Sequence, residues 1–148
     1  MGNGLFRNGN IGVVLLLELV LIGMAHAATV TAVDLSGVWR VETQYGAVLS
    51  DGVATFEPTG AGRYTGEVQD TIHMRTGPIA RRFSTVAVVD GATVRIEWTR
   101  VGSKRSDGTK KTIQVKEVDG GEKLQGMGYD QYGTFYITYV REHKADAK

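Results

Sequence analysis

The 148-residue chain contains no cysteine, which removes disulfides, thiolate nucleophiles and cysteine metal sites together. Its three asparagines, Asn3, Asn8 and Asn10, all lie within the first ten residues, so the rest of the chain offers no N-glycosylation acceptor. Beyond residue 27 the only histidines are His73 and His143. That excludes a histidine-rich zinc or iron site, and no metal or other cofactor is expected. A serine nucleophile would have His73 as its base, and no serine sits in a glycine-framed elbow. From Leu35 onward no stretch keeps a helical period for three turns.

The longest apolar run, Ile11 to Gly23, spans about 13 residues and is interrupted by Glu18. A bilayer-crossing helix needs roughly 20, which speaks against the alternatives of an uncleaved anchor or a buried core helix. Arg7 precedes the run and Ala25-His26-Ala27 follows it, the three-part layout of a secretory signal peptide. Cleavage after Ala27 leaves a single domain over 28–148, with no integral membrane span and no N-terminal cysteine for lipid attachment. The expected location is secreted or periplasmic. A domain of this size buries roughly two-thirds of its unfolded surface and holds together without disulfides.

Charge is uneven along the chain. Residues 28–70 hold two basic and six acidic side chains, 71–116 ten and three, and 117–148 four and six. Such a chain either turns a basic face toward an anionic partner or simply solvates its surface.

What is present is period-two alternation. Trp39, Val41 and Tyr45 share one face of the first run, and Ala54 and Phe56 one face of the second. Tyr64, Gly66, Val68 and Asp70 follow, then Phe83, Thr85, Ala87 and Val89, then Val94, Ile96 and Trp98. Ile113 with Val115, a glycine-rich run over 123–129, and Phe135, Ile137 and Tyr139 complete eight strands. Asp51-Gly52, Asp90-Gly91 and Asp107-Gly108 are expected as tight turns, with longer ones at Gly60-Ala61-Gly62 and Asp119-Gly120-Gly121. Residues 71–80 read as an extra short strand from Thr71 to Arg75 or as a longer loop. An eight-strand antiparallel meander with one apolar face closes into an up-and-down barrel or splits into a sandwich; the barrel removes exposed edges and is the expected fold. The outward faces carry Arg40, Glu42, Arg63, Glu67, Arg95, Glu97 and Lys116, where an outer-membrane barrel needs an apolar band.

Leu35-Ser36-Gly37-Val38-Trp39 opens the first strand and Arg141 ends the last. This resembles the calycin group of barrels: lipocalins, avidins and the small bacterial protease inhibitors. In lipocalins a late basic residue packs over the Gly-x-Trp indole at the closed end, which implies a Trp39–Arg141 pair. The segment Phe56 to Gly66 looks like the second hairpin of avidins. The resemblance implies the fold. Biotin binding is not carried over, since avidins ring biotin with several tryptophans and this domain has Trp39 and Trp98 alone. The cysteine pair of the metalloprotease inhibitors is missing as well.

Strand polarity places Tyr45, Asp70, Trp98, Arg100 and Tyr129 at the open end, joined by Phe83, Lys111 and Phe135 from returning strands. Aromatic area with a few orienting charges suits a small-ligand site. A pocket there is expected to include Trp98 with Tyr45 or Arg100, and Arg100 to meet either Asp70 or an anionic ligand. The expected ligand-binding residues are Tyr45, Asp70, Trp98, Arg100 and Phe135. The function expected is an exported barrel that binds a small or anionic molecule without catalysis. A protein partner engaged through the loops, as by an inhibitor, is the alternative, and carboxylate catalysis by Asp70 or Glu97 a third. Nucleic acid is not an expected partner.

Overall fold

Alternating side chains become the two faces of a continuous wall. In the computed structural model, which describes residues 31–102 and 109–143, eight antiparallel strands close into one barrel in chain order. They are β1 (Gly37–Tyr45), β2 (Val48–Gly60), β3 (Arg63–Met74), β4 (Gly77–Asp90), β5 (Thr93–Arg100), β6 (Lys110–Glu117), β7 (Lys123–Asp130) and β8 (Gly133–Arg141). The leader and the Asp107-Gly108 turn lie outside the described residues. The interior is lined by the apolar parity read from the sequence, with Trp39, Val41, Ala54, Phe56, Val68, Phe83, Ile96, Trp98, Ile113, Leu124 and Tyr139 all buried. Burying one such Val, Leu, Ile or Phe side chain stabilises the fold by roughly 1.5–3 kcal/mol. The charged outer-wall residues named above are all exposed.

One turn falls elsewhere than expected. β1 and β2 are joined through Gly46-Ala47, with Gly46 at φ 56°, while Asp51 and Gly52 lie inside β2. Gly52 is there because β3 passes close by: a β-carbon on it would lie 2.2 Å from the Gln69 carbonyl oxygen. Asp-Gly thus marks a close strand approach rather than a positive φ. Residues 71–80 turn out to be neither an extra strand nor a loop: they lengthen β3 and β4 around an Arg75-Thr76 turn. β3 runs on to Met74 and β4 starts at Gly77, opposite it, so this hairpin runs past the end of β5, where Phe83 already faces Arg100.

The closed end is built around Trp39. β1 and β8 close the barrel with Trp39 opposite Arg141. The Arg141 guanidinium lies 4.2 Å from the indole centroid and donates to the Ser36 and Asp34 carbonyl oxygens. The indole N–H donates to the Leu35 carbonyl at 2.8 Å. Asp34 accepts from the Ser36 amide, the Ser36 hydroxyl and the Tyr64 hydroxyl. The Ser36 bonds hold its carboxyl below the usual range.

Candidate functional site

At the other end the core stops short of the rim. A cleft of about 270 Å³ opens there, walled by Tyr45, Val48, Ile72, Met74, Phe83 and Tyr132, with Arg81, Arg100, Lys111 and Asp130 among them. Its surface is mainly apolar, and its charged groups are few and fixed on strands.

Lys111 organises one side. On β6 it shares the inward parity of Ile113 and Val115, so the strand has no choice but to send its stem into the barrel. Its ammonium donates to Asp130 Oδ2 at 2.9 Å and to the Tyr45 hydroxyl. Tyr45 in turn donates to the same carboxylate oxygen at 2.7 Å. Three ring faces surround the ammonium, with centroids 4.7 Å (Tyr45), 4.9 Å (Phe135) and 5.7 Å (Phe83) away. Burial pulls the Lys111 ammonium below the usual lysine range, against the Asp130 bond. Burial raises Asp130, but the bonds from Lys111, Tyr45 and the Tyr132 amide outweigh it and hold the carboxyl below its usual range. Tyr45 is pushed up by burial and by its bond to Asp130, and stays a neutral donor. Gly128, inward on β7, makes room for this box: a β-carbon there would lie 2.3 Å from the Phe135 ring.

Asp70 organises the other side. Arg81, its direct neighbour across β3 and β4, grips both carboxylate oxygens, with Nε at 2.9 Å from Oδ1. Ser50 donates to Oδ2 at 3.1 Å and is itself bonded to Thr43. Among the described residues, the Thr85 hydroxyl is the one buried side-chain polar atom with no hydrogen-bond partner.

The expected site residues therefore separate by depth. Tyr45 and Arg100 line the cleft. Phe135 stands behind Tyr45, ring centroids 4.6 Å apart, and touches Lys111 from beneath. Trp98 is fully buried one layer down, packed at a tilt against Phe83 with ring centroids 5.2 Å apart and donating to the Tyr139 hydroxyl at 3.1 Å, so the pocket forms without it. Asp70 is held by Arg81 rather than Arg100. Among the described residues no carboxylate pairs with Arg100, which leaves it facing the cleft. Tyr129 is exposed on the outer wall. Arg81 and Asp130 were not anticipated, yet parity marks both: Arg81 continues Phe83, Thr85 and Ala87 toward the rim, and Asp130 continues Leu124, Gly126 and Gly128.

No family model and no curated protein matches the sequence. Solved structures do match it. A redesigned β-barrel, mFAP1, bound to DFHBI, is 20% identical with a TM-score of 0.60, over 72% of this chain and 94% of its own. EF1p2_mFAP2b bound to DFHBI is likewise 20% identical, with a TM-score of 0.57 over 73% and 94%. A fluorescence-activating β-barrel designed de novo is 13% identical, with a TM-score of 0.56 over 72% and 93%. At these identities the likeness is one of fold: this chain is an eight-stranded antiparallel barrel of the same architecture.

Proposed function

We propose that this protein is an exported, calycin-type barrel that binds a small amphiphilic anion in its open-end cleft, without catalysis. The observation that carries the reading is the charge pattern of the cleft. Lys111 is matched by Asp130 and Arg81 by Asp70, so each internal pair is neutral. Arg100 stands outside both pairs, in a cleft whose remaining surface is mainly apolar. An arginine so placed suits a carboxylate, which it can hold through two parallel hydrogen bonds. The rings and aliphatic groups of Tyr45, Val48, Ile72, Met74 and Phe83 suit the apolar body of the same molecule. A cleft of about 270 Å³ lies just below the usual range for ligand pockets, which starts at about 300 Å³, so one or two fused rings are the size it takes. The barrels bound to DFHBI, similar in fold, support the use of this architecture for a small molecule.

Binding rather than turnover is supported by the state of the acids. Asp70 and Asp130 both have their oxygens engaged by cations and hydroxyls, which leaves neither as a poised base. Glu97 faces solvent on the outer wall. Calorimetric titration with 2-naphthoate and its uncharged amide tests the reading. Naphthoate should bind, and Arg100→Met, which keeps the stem and deletes the charge, should weaken it about tenfold or more with unchanged folding. No binding of either compound sinks the reading, and equal binding of both removes the anion from it.

A further inference from the structure

In an up-and-down barrel the connections alternate between ends, so β1–β2, β3–β4, β5–β6 and β7–β8 all turn at the end where the cleft opens. Every one of them bears a large apolar side chain in water. Leu49 follows the first, Met74 and Ile79 flank the second, Val101 begins the third and Tyr132 lies in the fourth. Tyr132 is 80% exposed and Leu49 54%. Counted the same way, the three closed-end connections bear two, Val88 at 37% and Val118. Met74 and Ile79 are the telling pair. Both continue the inward parity of Asp70 and Arg81, but on the part of the β3–β4 hairpin that overruns β5, so they are interior-type residues carried beyond the interior.

The same end is basic. Arg75 at the hairpin tip and Lys110 at the start of β6 are exposed, and Arg100 stands at the mouth. Among the described residues none of the three is paired with a carboxylate. The sequence segment 71–116, which supplies them, holds ten basic and three acidic side chains.

We infer that the open end docks reversibly on an anionic lipid bilayer, with Leu49, Met74, Ile79, Val101 and Tyr132 entering the interfacial zone while Arg75 and Lys110 meet headgroup phosphates. The interface is the one environment that satisfies apolar tips and cations side by side, and tyrosine favours that depth. A protein partner fits the arrangement less well. A stable protein interface needs roughly 800 Å² of contiguous, closely complementary surface on each side. Here separate apolar tips ring an opening, a shape that a fluid bilayer accommodates and a rigid partner does not. Docking would set the cleft against the membrane, where amphiphiles are concentrated.

The test is flotation with phosphatidylcholine vesicles, with or without 30 mole per cent phosphatidylglycerol. All variants are made in the same chain, so any contribution from residues 1–27 is common to all of them. The wild type should float with the anionic vesicles, far less with the neutral ones, and should be released by high salt. Each cation near an anionic surface contributes about fivefold, so the Arg75→Gln, Lys110→Gln double variant should bind about 25-fold more weakly. The Leu49→Ser, Met74→Ser, Ile79→Ser triple variant should be lost from the floating fraction. Tyr132→Ser repeats the apolar test at a turn position without touching a strand. Val118→Ser, at the closed end, should behave as wild type. Equal binding to neutral vesicles, no binding to either, or an equal loss in Val118→Ser overturns the proposal.

Discussion

Lys111 and Asp130 meet inside the barrel mouth, Nζ to Oδ2 at 2.9 Å, with side chains only 5% and 2% exposed. Taking two charges out of water is costly, and their attraction offsets that cost only while both are present. Asp130→Asn should therefore destabilise the fold by about 3–5 kcal/mol, because it strands an ammonium between three rings. Adding Lys111→Met should recover most of the loss, since a methionine fills the same box without charge. Urea denaturation of the two single variants and the double variant measures this. Additive losses would contradict a coupled pair.

At the closed end the expected effect is of a different kind. Trp39→Ala removes a fully buried indole and should cost about 3–5 kcal/mol. Arg141→Ala should cost about 1–2 kcal/mol, through the lost packing over that ring and the lost bonds to Ser36 and Asp34. Thermal unfolding of both variants should rank them in that order. An Arg141 variant as stable as wild type would mean that the cation does not clamp the barrel seam.

Stability should fall in acid. Asp34 and Asp130 both have folded pKa values held below those of free carboxyls. A depressed carboxyl contributes stability that is present above its unfolded pKa, about 4, and is lost as pH drops through the lower folded value. Lys111 acts with the opposite consequence at the alkaline side: its folded pKa lies below the unfolded one, so its cost is relieved as pH rises through the folded value toward about 10.4. Denaturant midpoints should hold steady from neutrality to about pH 5 and decline below about pH 4, with a shallower decline in Asp34→Asn. An acid decline unchanged in that variant would assign the effect to other groups.

Export carries its own expectation. The native protein should have its N-terminus at Ala28, with Ala25-His26-Ala27 removed along with the apolar run. Mass spectrometry of material from the producing cell decides this. A mature species that keeps residues 11–23 would contradict the signal-peptide reading.

Parity made the wall legible from the sequence, because a barrel with a filled interior and a charged exterior leaves each strand only one sensible facing. Strand polarity, added to that rule, sets Tyr45, Phe83, Arg100, Lys111 and Phe135 toward the mouth. Depth was harder to read. Trp98 and Arg100 share a face, but two residues of strand set Trp98 about 7 Å below the rim, far enough to make it core. Partner choice was harder still. Asp70 pairs with Arg81 because the Arg75-Thr76 turn sets them directly opposite each other, and that turn lies in the segment that alternation left open. Asp130 lies one residue beyond the run over 123–129, and its inward parity becomes visible only once β7 is known to reach it. The Asp51-Gly52 turn failed for a related reason: glycine serves close strand approach as well as positive φ.

Whether the open-end cleft binds a ligand is decided by an amide-resolved NMR titration with 2-naphthoate. Saturable shifts confined to Tyr45, Val48, Met74, Arg100, Lys111 and Tyr132, with Trp39, Tyr64 and Arg141 unmoved, are the predicted result. Shifts centred on the closed end or the outer wall, or none at millimolar ligand, would contradict binding in the cleft.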